Sequence, residues 1–211
     1  MTYKRKVPLN WLKGWQYWMQ ETEAPDSYIQ WAGLSAVAGA TQRRVYVTWG
    51  YHRYYTNHYI ILVGPAGIVH KSSTIDMVRR ILREIGAPTT SESLSREELI
   101  RQLVSRGDGV SCALTALPDE LSDLIRTSGP NMIEFLTTIY GCPDVWEYST
   151  RARGIEQINK AFLNLLGGTT PRWIANEFDV TFVEQGFASR TLFIHELEPR
   201  FFRHARHESA C

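Results

Sequence analysis

The run His58-Tyr59-Ile60-Ile61-Leu62-Val63 is apolar almost throughout and stops abruptly at Gly64-Pro65-Ala66-Gly67-Ile68-Val69-His70-Lys71-Ser72-Ser73. A strand without polar alternation is covered on both faces, which is the environment of a parallel sheet held between helices. After the glycines, Ile75, Met77, Val78, Ile81, Leu82 and Ile85 recur at helical spacing until Gly86-Ala87-Pro88 halts them. The same alternation returns downstream. Val110–Leu117 reads as a buried strand ending at Pro118-Asp119-Glu120, with helices from about Asp119 to Thr127 and Asn131 to Tyr140. Ala161–Leu166 and Arg190–His195 read as two more strands. Strands alternating with helices predict an α/β three-layer domain with a mostly parallel sheet.

Residues 1–43 read as a helical extension and 44–211 as the α/β domain. Trp11, Leu12, Trp15, Trp18 and Met19 give the segment Asn10–Glu21 one apolar helical face, for which core packing is the expected role. Asp26 is the expected N-cap of a second helix reaching about Ala40. Arg44–Trp49 reads as a strand and Gly50–Asn57 as a loop. Ser95 and Glu98 form a capping box that opens a helix to about Val104. Trp146–Ser149 and Ile155–Ile158 flank a basic tip, Thr150-Arg151-Ala152-Arg153-Gly154, as in a hairpin.

Composition narrows the class. With 44% hydrophobic and 21% charged residues at net charge +1, the chain reads as an ordinary soluble domain. Cys112, Cys142 and Cys211 include no Cys-x-x-Cys pair, so neither a disulfide framework nor a structural zinc site is indicated, and a reducing cytoplasmic location fits. No signal peptide and no membrane span is expected. Near-neutral charge leaves room for local basic patches, such as Arg200–His207 with its three Arg and two His.

Strand, glycine loop, Lys-Ser and helix come in the order that phosphate binding requires. Glycines let backbone N–H groups wrap an anion, and the helix N-terminus adds its positive end. On this reading Gly64 to Ser73 cradle a nucleoside triphosphate, Lys71 meets its β- and γ-phosphates, and Ser72 ligates Mg²⁺. Six residues separate Gly64 from Lys71, one more than the usual spacing, and His70 stands where glycine usually precedes the lysine. A plain strand-to-helix turn is the competing reading. Asp119 and Glu120 end the next buried strand, which suits a metal-binding carboxylate and a general base respectively, although first-turn acids also complement a helix dipole. Thr169-Thr170 either contacts the γ-phosphate or water through Thr169, or simply caps the helix opened by Pro171. Arg151 and Arg153 are candidate nucleic-acid contacts or a solvated turn. Arg190 is a candidate nucleotide contact in its own subunit or a neighbour's.

Together these pieces resemble the P-loop ATPase domain of phage and prophage primase-helicase proteins, related to AAA+ and superfamily 3 helicases. The resemblance runs through EAPDSYIQWAGLSAVAGATQRRVYV, YIILVGPAGIVHKSS, PDELSDLI, LTTIYGCPDVWEYSTRARGIEQINKAFLNLLGGTTPRWI and GFASRTLFI. It implies a three-layer P-loop NTPase fold, ATP and Mg²⁺ as ligands, and hydrolysis coupled to DNA, single-stranded in the first instance. It further implies a homo-oligomeric ring whose hairpin tip, Arg151 and Arg153, faces the channel. Asp119 and Glu120 become the acidic pair, and Arg190 a trans-acting or sensing arginine. Priming is left to a separate primase partner, and the setting is the bacterial host cytoplasm. Two other readings stay open: a degenerate nucleotide-responsive scaffold, and a DNA-binding accessory protein that no longer uses nucleotide.

Overall fold

The computed structural model describes residues 10–90, 95–105, 111–126, 128–150, 154–177 and 186–202. In chain order the elements begin with α1 (Trp11–Trp18), α2 (Asp26–Thr41), β1 (Tyr46–Trp49), β2 (His52–Tyr55), β3 (Tyr59–Val63) and α3 (Lys71–Glu84). They continue with α4 (Arg96–Ser105), β4 (Ala113–Ala116), α5 (Leu121–Arg126), α6 (Pro130–Tyr140), β5 (Val145–Thr150) and β6 (Gly154–Asn159). The last are β7 (Phe162–Thr169), α7 (Pro171–Glu177) and β8 (Thr191–His195).

Four strands form one sheet in the order β4-β7-β3-β8, every neighbouring pair parallel. An isolated parallel bridge from Thr89 to Thr115 borders β4 on its outer side. β3 and β7 are buried at every position, as their unbroken apolar character demands. Alternate residues of β3 feed two cores. Ile60 and Leu62 join α1, α2 and α3 through Trp15, Tyr28, Ile29, Ile75 and Leu82. Tyr59, Ile61 and Val63 join α4, α5 and α6 through Leu103, Leu124 and Phe135. The architecture is a three-layer α/β sandwich, with α2, in the N-terminal helical segment, supplying part of one outer layer.

Close packing of α2 follows from its small residues. A Cβ on Gly33 would stand 2.6 Å from Trp15 Cδ1, and one on Gly39 would stand 2.6 Å from Thr115 Oγ1. Trp15 is buried and donates its indole N–H to Ile29 O at 2.6 Å, the core role expected of it. Asn164, the polar residue in β7, is satisfied internally: its amide donates to Ser35 O and Oγ and accepts from His58 N.

Several local expectations need correction. Gly50–Asn57 is not all loop, because His52–Tyr55 pairs antiparallel with Tyr46–Trp49. The aromatic residues favour extended backbone, and Gly50, at φ +60°, permits the two-residue turn. Asp26 is the first residue of α2 rather than its cap; Pro25 precedes the helix, and Asp26 pairs with Arg200 at 3.2 Å. The helix expected from Asp119 begins at Leu121. β7 outruns its apolar core and ends at Thr169, since Gly167 and Gly168 pair in register with Ile61 and Leu62. The second hairpin forms as β5–β6. Its tip residues Arg151 and Arg153 lie outside the described residues.

Candidate functional site

β3 and β7 are neighbours, yet their outgoing connections diverge. The chain leaves β3 through α3 towards the β4 side, and leaves β7 through α7 towards β8 on the far side of β3. Such divergence opens a crevice at the carboxyl ends of the two strands, where ligands of open α/β sheets bind. The Gly64–His70 loop lies there.

Gly64 is fixed on three sides. Its N–H donates to Thr169 O at 3.2 Å, and an added Cβ would stand 2.5 Å from Val69 Cγ2, 2.6 Å from Glu196 O and 2.7 Å from Tyr28 Oη. Just before it, Val63 O accepts from the Tyr28 hydroxyl at 2.6 Å and from Glu196 N at 3.0 Å. Pro65, Ala66, Gly67 and Ile68 arch away from the body, the last three exposed, with Gly67 at φ +73°. Val69 turns back into the core. His70 takes the left-handed conformation, φ +53°, immediately before α3, and its Nε2 lies 3.1 Å from a Glu23 carboxylate oxygen. α3 has no side-chain cap, so its first-turn amides present unpaired donors where Ser72 and Ser73 are exposed.

Lys71 is buried and donates to Gly64 O at 2.6 Å and Pro65 O at 3.2 Å. Burial pulls its ammonium below the usual lysine range, and the neighbouring Glu120 opposes that shift. Burial conversely pushes the Glu120 carboxyl up; Lys71 counters, while Asp123 and Asp119 add to the rise. Five buried side-chain atoms lack a hydrogen-bond partner among the described residues, and two of them, Glu120 Oε2 and Thr169 Oγ1, lie at this end of the sheet. Desolvated polar atoms are costly unless something meets them, so their presence beside a glycine loop points to a polar ligand. Asp119 is half exposed and accepts from Arg79 Nη2 at 3.1 Å. Thr170 takes the other role weighed for the threonine pair, its Oγ1 accepting from Trp173 N at 3.3 Å.

Close approach of β7 to the acidic turn depends on glycine. A Cβ on Gly168 would stand 2.6 Å from Asp119 O and 3.6 Å from Lys71 Cβ, and Gly168 N donates to Pro118 O at 3.3 Å. The structure therefore gathers Lys71, Ser72, Asp119, Glu120 and Thr169 at one end of the sheet. Arg190 is elsewhere. It precedes β8, whose register pairs Thr191 with Tyr59, the first residue of β3. A strand of five residues spans roughly 16 Å, more than an arginine side chain reaches, so Arg190 does not contact a ligand at its own loop.

Two contributors escaped the sequence reading. Arg79, on the buried face of α3, holds the acidic turn by donating to Leu117 O at 2.8 Å, to Asp119 and to Asp76. Its signal was an arginine in phase with Ile75, Val78 and Leu82. Tyr28 buttresses the loop from α2, and nothing local in the sequence announces that contact.

No protein-family model and no curated protein matches the chain. Among the described residues no helix is long and apolar enough to cross a membrane.

Proposed function

We propose that this chain is a P-loop NTPase that binds ATP with Mg²⁺ at the Gly64–Ser73 loop and hydrolyses it as a subunit of an oligomeric, DNA-associated motor. The observation that carries the nucleotide part is the pair of enclosed, unpartnered oxygens, Glu120 Oε2 and Thr169 Oγ1, beside Lys71 and the uncapped start of α3. The residues suit such a ligand. Loop and α3 amides with Lys71 offset phosphate charge, while Ser72 and Asp119 supply the hard oxygen donors that Mg²⁺ prefers. Bound there, Mg²⁺ supplies charge neutralisation across the phosphates.

In the hydrolytic step, a water oxygen bonds to the γ-phosphorus as the bond to the β–γ bridging oxygen breaks. Glu120 takes the proton of that water, and burial suits it to the task by raising its basicity towards the working pH. Thr169 orients the water or a γ-phosphate oxygen. Arg190 can serve only a neighbouring subunit's nucleotide, which fits a ring. The DNA and phage-replication parts rest on the family resemblance.

ATP turnover with and without single-stranded DNA, on wild type and Lys71→Ala, tests the reading. Expected are DNA-stimulated phosphate release in wild type and its loss in the variant. Turnover indifferent to Lys71 sinks the reading. The scaffold alternative draws on the Lys71 ammonium being engaged by Gly64 O and Pro65 O. ATP-dependent growth in particle size without phosphate release favours it.

A further inference from the structure

The chain enters β3 through the β1–β2 ribbon, which projects from the amino end of the sheet, opposite the glycine loop. Its base is anchored. Tyr55 packs on Ala113, Cys142 and Phe162, and Arg43 donates to Pro143 O at 3.2 Å and Ala161 O at 3.3 Å. Distally the ribbon stands in solvent: Trp49 is 76% exposed, Tyr51 92% and Tyr54 57%. Nothing in the domain's own packing requires three aromatic rings there, and exposed apolar groups of that size mark interaction sites.

Register sorts the ribbon into two faces. Val47, Trp49, His52 and Tyr54 share one; Tyr46, Thr48, Arg53 and Tyr55 share the other. The second borders a recess of about 320 Å³ lined also by Arg43, Arg44 and Lys160. Arg43 is paired there with Asp144 at 2.5 Å. Among the described residues, Arg44, Arg53 and Lys160 have no carboxylate within ion-pair distance, and the Arg53 guanidinium lies 5.1 Å from the Tyr46 ring centroid. Cations without a carboxylate partner on one face of the ribbon, and exposed rings at its tip and on the other face, are the two ingredients of single-strand recognition: charge for the phosphates, flat faces for the bases.

We infer that the β1–β2 ribbon binds single-stranded DNA, with Arg44, Arg53 and Lys160 on the phosphates and Trp49, Tyr51 and Tyr54 stacking on unpaired bases. Trp, Tyr and Arg also suit a protein interface; the recess on the same ribbon, with three cations lacking a carboxylate partner among the described residues, favours a polyanion. Duplex fits less well, because its base faces are covered. The choice of DNA as the nucleic acid rests on the motor reading; the phosphate-and-base chemistry does not.

The test is fluorescence anisotropy of labelled dT20 with the full chain, without nucleotide and in EDTA. Trp49→Ala with Tyr51→Ala is expected to weaken binding about tenfold or more. Arg44→Ala with Arg53→Ala is expected to flatten the log-affinity against log-salt slope by about 1.4, roughly 0.7 per lost phosphate contact. Circular dichroism and melting temperature unchanged from wild type confirm that the exposed substitutions leave the fold intact. Binding that is absent in wild type, or unaltered in the folded variants, overturns the inference. So does equal affinity for the dT20–dA20 duplex, tighter binding of rU20 than of dT20, or loss of binding that follows a smaller sedimenting particle, which assigns the ribbon to contacts between copies. Because dT20 binding is read without nucleotide, a failed ATPase test and a failed ribbon test remain distinguishable.

Discussion

At Glu120 burial and charge act in opposite directions on one carboxylate. Enclosure raises its affinity for a proton more than nearby Lys71 lowers it. The folded chain therefore holds this proton more tightly than the unfolded chain does. That contribution to stability is fully present below the unfolded carboxylate pKa and is lost as pH rises through the folded-state value. Glu120→Gln, which cannot ionise, should thus melt higher than wild type at neutral pH, with the gap closing below about pH 4. Scanning calorimetry from acid to neutral pH checks this, and a variant less stable at neutral pH would contradict it. The same substitution should cut ATP turnover by about 10²-fold or more while nucleotide binding persists. Gly64 shows the complementary case, where geometry leaves no choice: three contacts occupy the space of a single methyl group.

Among elements, the junction of α3 with the end of β4 is the most telling. Arg79 is 7% exposed and ties Leu117 O and Asp119 to the helix that carries Lys71. Arg79→Met keeps the apolar stem and removes the donors, leaving Leu117 O without this bond. The expected cost is about 1–3 kcal/mol in denaturant unfolding. Turnover should fall too, although Arg79 contacts no reacting atom, because Asp119 loses its orientation. An unchanged midpoint would show that the Arg79 contacts add nothing net. These elements were largely legible in sequence where residues were apolar. β3, α3 and the β5–β6 hairpin announced themselves through periodicity and glycine placement. β2 did not, because His52-Arg53-Tyr54-Tyr55 reads as polar and aromatic, and only pairing with Tyr46–Trp49 fixes it as a strand. β7 was read short because Gly167-Gly168 is depleted in strand propensity and breaks the apolar run; its parallel partner β3 holds it extended.

For the whole molecule, the sheet separates two ends. The carboxyl ends of β3, β4 and β7 carry Lys71, Glu120 and Thr169; the amino end carries Arg190 and the exposed ribbon. On the proposed reading, a subunit with its nucleotide site at one end and the exposed Arg190 at the other is suited to head-to-tail assembly, in which each copy completes its neighbour's site. Lys71→Ala and Arg190→Ala should each be inactive alone. Mixed in equal amounts they should regain part of the wild-type turnover, since some interfaces then join an intact Lys71 to an intact Arg190. No recovery on mixing would remove Arg190 from the neighbour's site.

The sequence by itself determined what neighbouring residues decide: a fully buried strand, a glycine loop opening a helix, acids at a strand end, two threonines before a proline. Tertiary structure alone decided which of them meet. Insertion of β7 between β3 and β4 brings Thr169 to the loop while Thr170 caps α7, and parallel pairing of β8 with β3 sends Arg190 to the far end. Strand order and polarity arise from hydrogen bonds between segments distant in the chain, and periodicity, a property of adjacent residues, carries no record of them.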